Sequence, residues 1–151
     1  MWSLNKTYNI LNQSGEAIFQ IIGKPFSWGN NLSFQNMEGE EILKIKQTLL
    51  TWMPKYELIE EDVVVAVLEK EFSWFKKRFT LDIPGPNDYT IQGDFWEHEF
   101  SFDRFGKSVA SVSKDIFKMA DTYGVSITEE EDHELILATV AVVNLICASQ
   151  N

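Results

Sequence analysis

The stretch Leu135 to Ala148 (LILATVAVVNLICA) is apolar on every face if wound as a helix, and such a helix belongs in a core or a membrane. Its length, at about 1.5 Å per residue, is roughly 21 Å, short of the ~20 residues that cross a bilayer. The rest of the chain must therefore wrap it. Its β-branched residues, Ile136, Thr139, Val140, Val142, Val143 and Ile146, lower helix propensity and make a buried strand the rival. Length favours a helix over about 134–149, because strands mostly run roughly three to ten residues. Thr128 to Asp132 supplies a cap with acidic groups suited to a helix N-terminus.

The remainder carries an internal repeat. Alternating apolar pairs fall at Tyr8/Ile10, Leu32/Phe34, Tyr56/Leu58, Phe79/Leu81, Phe100/Phe102 and Tyr123/Val125, at successive offsets of 24, 24, 23, 21 and 23. Polar residues such as Ser33, Thr80 and Ser101 sit between the members, so each pair marks one core-facing side of a strand. Turn signals follow the first five pairs, at Asn12 to Gly15, Met37 to Gly39, Glu60 to Asp62, Pro84 to Asp88 and Arg104 to Gly106. Second strands then follow at Ala17 to Ile22, Glu41 to Gln47, Val63 to Lys70, Tyr89 to Gly93 and Ser108 to Val112. Five hairpins and one more strand make eleven strands.

Between hairpins recurs an aromatic corner, Phe26-Ser27-Trp28 and Phe72-Ser73-Trp74, with looser copies at Leu50-Thr51-Trp52, Phe95-Trp96 and Phe117-Lys118-Met119. Regular recurrence suits end packing better than a ligand cage, since a binding site is needed once. A meander leaves two sheet edges unless it closes into a barrel. A barrel of about a dozen strands has a lumen too wide for side chains alone, and a helix roughly 10 Å across fills it. The expectation is a mainly β, single-domain fold over residues 1–151, an antiparallel barrel around a hydrophobic C-terminal helix.

Charge narrows the partners. A net charge of −10 opposes nucleic-acid binding, which rests on neutralising phosphates, and weakens any global attraction to anionic lipid. Cys147 is the single cysteine, so no internal disulfide can form, and no secretory leader pattern opens the sequence. The expected compartment is the cytoplasm, with peripheral membrane contact.

Chemistry is sparse. The two histidines, His98 and His133, do not form a metal-ligand cluster, and on a strand Glu97 and Glu99 would face away from His98. Glu129 to Asp132 lack the ligand spacing of a calcium loop. No nucleophile elbow, phosphate loop or zinc motif is present, so no catalytic residue, cofactor or metal is expected. The one local basic cluster is Lys76-Lys77-Arg78, between Phe75 and Phe79. Basic groups beside aromatics suit a phosphate-bearing headgroup at a membrane interface, although an ordinary solvated strand end has the same composition.

The segments FSWGNNLSFQNMEGEE (26–41), KQTLLTWMPKYEL (46–58), KEFSWFKKRFTLDIPGPNDYTIQGDFWEHEF (70–100) and DTYGVSI (121–127), followed by the apolar end, resemble the LURP-one-related family of the tubby-like superfamily. The resemblance implies a fold similar to the tubby C-terminal domain and the phospholipid scramblases, a twelve-stranded barrel around a central helix. It also implies phospholipid or phosphoinositide headgroups as partners for Lys76, Lys77 and Arg78. Family members usually begin with a further strand before the corner that here is Trp2-Ser3-Leu4. The expectation that follows is an open seam and self-association, or a protein-interaction and scaffold role at that seam. An enzyme or small-ligand carrier is the third alternative.

Overall fold

The computed structural model describes residues 6–23, 31–48, 54–71, 77–113 and 124–149. Among the described residues eleven strands follow one another in sequence order in an antiparallel sheet: β1 (Lys6–Leu11), β2 (Ala17–Gly23), β3 (Asn31–Asn36), β4 (Glu41–Thr48), β5 (Lys55–Glu60), β6 (Val63–Glu71), β7 (Arg78–Asp82), β8 (Tyr89–Asp94), β9 (Glu99–Arg104), β10 (Lys107–Ser113) and β11 (Gly124–Ile127). One helix, α1 (His133–Ser149), follows. Each predicted second strand lies where the repeat puts it, extended by one or two residues at its ends. The chain divides into two compact units, Met1–Val67 and Leu68–Asn151.

In the first unit, register explains the buried pairs. Ile21 pairs with Phe34, Phe34 with Leu43, and Ile45 with Leu58, and all five side chains are buried. Tyr8 breaks the pattern. It pairs with the buried Ile21, yet it is 37% exposed; among the described residues β1 has a strand on one side only and so receives less cover than an interior strand. The first two hairpins share one turn. The Asn12 side-chain oxygen accepts from the backbone N–H groups of Ser14 and Glu16, and the Asn36 oxygen accepts from those of Glu38 and Glu40. These are Asx turns, 24 residues apart like the strands they join.

The second unit packs aromatic residues at its strand ends. Phe95 lies 5.2 Å from Phe79, edge to face, and 4.9 Å from Phe100. Of the recurring aromatic corners, Phe95-Trp96 alone lies among the described residues, and its Phe does the packing that the repeat suggests. Phe26 to Trp28, Leu50 to Trp52, Phe72 to Trp74 and Phe117 to Met119 lie outside them.

Helix α1 begins where an acidic cap is expected. Asp132 accepts from the Leu135 backbone N–H at 3.1 Å through its side chain and from that of Ile136 at 3.1 Å through its carbonyl. Ile136, Ala138, Val142 and Val143 are buried completely, and so is Thr139, whose hydroxyl donates to the Leu135 carbonyl at 2.8 Å. That back-bond removes the polar cost of Thr139. The exposure is not uniform around the axis, because Leu137, Ala141, Asn144 and Leu145 are only half-buried, one helical stripe at spacings of four, three and one.

Candidate functional site

The basic cluster separates into unlike environments. Lys76 lies outside the described residues. Lys77 precedes β7 and holds its ammonium 4.6 Å from the centroid of the Trp96 ring, a cation–π distance. Arg78 opens β7 and is ion-paired to Glu71, at the end of β6. Glu71 also accepts from the Thr80 hydroxyl at 2.7 Å. The Thr80 hydrogen bond and the Arg78 charge hold the Glu71 carboxyl below its ordinary range, so at neutral pH it stays ionised and offsets much of the Arg78 charge.

Trp96 is the residue that the basic-cluster reading did not include. It sits in the turn between β8 and β9 and is 46% exposed, whereas its neighbour Phe95 is buried. The two side chains diverge at the corner, one entering the core and the other forming a platform for Lys77. The signal available in the sequence was the Phe95-Trp96 dipeptide, one of the recurring aromatic corners.

The same end of the unit holds the last turns of α1. Burial pushes the Cys147 thiol up, and the charges of Lys77 and Lys70 act against that rise. Lys77 and Trp96 meet at this corner, from the β7 approach and the β8–β9 turn.

His98 is not on a strand. It has φ +55° in the turn between β8 and β9, so the strand alternation expected for Glu97, His98 and Glu99 does not apply. The turn directs the His98 ring to Asn144 of α1, Nδ1 to Oδ1 at 3.1 Å. His133 instead contacts the Thr128 carbonyl through Nε2 at 3.1 Å. Among the described residues no group of three or more His, Cys, Asp or Glu side chains could hold a metal ion.

At the helix N-terminus a second polar cluster forms. Tyr89 donates to Glu131 at 2.5 Å, Arg104 Nη1 donates to the same carboxylate at 2.9 Å, and Arg104 Nε and Nη2 both donate to the Asn87 carbonyl. Burial first, then the bond to Glu131, raises the Tyr89 hydroxyl far above its ordinary range. Every strong donor here has a protein acceptor, and the cluster serves to tie α1 to β8 and β9.

Comparison with known proteins gives one consistent result. Residues 1–144 match the model of the LURP-one-related family. The chain is similar to the uncharacterised protein YxjI of Bacillus subtilis strain 168, at 30% identity over 143 residues, covering 95% of this chain and 86% of that protein. No solved structure matches.

Proposed function

The chain belongs to the LURP-one-related family, and on that premise we propose that it is a non-enzymatic module that binds phospholipid headgroups at a membrane surface through the Lys77–Trp96 corner. The observation that carries this reading is Lys77 over the half-exposed Trp96 ring. An exposed tryptophan suits the interfacial region of a bilayer, and an ammonium beside it supplies a point charge for a phosphate. Lys76 adjoins Lys77 in sequence. Arg78 contributes less while Glu71 holds it. The resemblance of the sequence to the tubby-like superfamily adds support to the lipid reading. No helix among the described residues is long and apolar enough to cross a membrane, which suits attachment at the surface of the cytoplasmic leaflet.

Vesicle co-sedimentation tests the reading, with neutral, anionic and phosphoinositide-bearing vesicles. Salt-sensitive binding to the charged vesicles is expected, reduced about fivefold by Lys77→Glu and by Trp96→Ala. Glu71→Gln is expected to strengthen it by releasing Arg78. Absence of binding to all three vesicle types, or binding indifferent to Lys77→Glu and Trp96→Ala, would reject the site.

A further inference from the structure

The outward side of the first unit departs from the alternation that governs its strands. Phe19 pairs with Asn36 across β2 and β3, which puts Ile18 beside Met37 just past the ladder. Ile10 pairs with Phe19 and Leu11 with Ala17, so Ile18 is the extra residue of a bulge next to Leu11. Leu11 on β1, Ile18 on β2 and Met37 in the turn after β3 thereby form a row, exposed by 43%, 37% and 43%. The row spans roughly 10 Å at the usual strand spacing. It is flanked on the same side by a polar pair, Gln20 to Gln35 at 3.3 Å.

The two Asx turns frame this row. By fixing the backbone of Ser14 to Glu16 and of Glu38 to Glu40, they hold Glu16, Glu38 and Glu40 at its margin, all exposed. Neither turn contains a lysine or arginine. Carboxylates around an apolar row repel an anionic bilayer and a second copy of the same row, which would bring like charges together. They complement a cationic segment with an apolar stripe.

We propose that Leu11, Ile18 and Met37, bordered by Glu16, Glu38 and Glu40, form a docking surface for a basic amphipathic segment of a partner protein. The surface uses no residue of the Lys77–Trp96 corner, so it stands or falls apart from the lipid reading.

The probe is a fluorescent synthetic peptide of leucine and lysine with the leucines at helical spacing, beside one of equal charge in which serine replaces leucine. The full chain is expected to bind the leucine peptide about tenfold more tightly. The triple change Leu11→Ser, Ile18→Ser, Met37→Ser should erase most of that preference, and Glu16→Gln, Glu38→Gln, Glu40→Gln should weaken both peptides and flatten their salt dependence. Trp96→Ala should change neither. The glutamine variant decides the matter alone if the serine variant loses its circular dichroism signature. Equal affinity for the two peptides, a leucine preference that survives the serine changes, or dimerisation of the chain abolished by them would overturn the proposal.

Discussion

Arg104 stacks its guanidinium over the ring of Tyr89, 4.0 Å from the centroid, while both side chains donate to the carboxylate of Glu131. The three groups act as one unit, since removing any member leaves the other two short of a partner. Glu131→Ala should cost about 1.5–3 kcal/mol in urea denaturation, the usual loss for a charge-assisted, part-buried acceptor. Combined with Arg104→Gln it should cost measurably less than the sum of the single changes. Strict additivity would show that the groups contribute independently.

Alkaline pH should destabilise the fold through tyrosine. Burial raises both Tyr56 and Tyr89 above the ordinary value of 10.0. Above that value the unfolded chain releases protons that the folded chain retains. Stability is therefore level below the ordinary value and falls above it, with a limiting slope of about 1.4 kcal/mol per pH unit for each proton that the folded chain alone retains. Urea midpoints followed from about pH 8 to about pH 11 check the slope, and Tyr89→Phe should remove the share of that residue.

A charge placed in α1 should unfold the chain. Val140 is 3% exposed and Val143 fully buried, and an unpaired buried carboxylate costs several kcal/mol, or about 3–5, against a typical total of about 5–15. Val143→Asp should abolish cooperative melting or lower its midpoint steeply. A normal transition would mean that α1 is dispensable to the core.

Two glycines in positive-φ backbone should respond differently to alanine. Gly93 has φ +144°, and a Cβ there would meet the Glu99 carbonyl oxygen at 2.4 Å and the Phe100 Cα at 2.6 Å, whereas a Cβ on Gly39, at φ +88°, meets nothing within 4 Å. Gly39→Ala carries only the conformational cost of about 1–2 kcal/mol. Gly93→Ala adds a backbone collision across the β8–β9 ladder and should cost several kcal/mol, or about 3 or more. Chemical denaturation of the pair provides the comparison.

How much of this was legible beforehand depends on the range of each interaction. The positions of β2 to β10 follow from alternation and turn residues, both local, and so does the start of α1 at Asp132. The exposure of Tyr8 was hidden because a strand at one end of the sheet order has the same alternation as an interior one. His98 was misplaced for a local reason. A histidine at positive φ is unusual, and WEHEF carries no glycine to announce a turn. The neutralisation of Arg78 by Glu71 crosses the β6–β7 connection, and the seat of Lys77 on Trp96 joins residues nineteen apart. Neither pairing can be read from a basic triplet, so the cluster looked more uniform than it is.

A mostly apolar helix in an apolar core faces an ambiguity of address: moved by one turn, about 5.4 Å, it would still bury valines, leucines and isoleucines. Hydrocarbon contacts resist such sliding weakly because each lost partner is replaced by a similar one. Two polar contacts break the degeneracy. Glu131, just before α1, reaches Tyr89 and Arg104, and Asn144, three turns along, reaches His98. A shift in either direction strands both sets of partners at once. These contacts work as postmarks, and the fold is free to vary the identity of its core aliphatics while keeping the helix in one register.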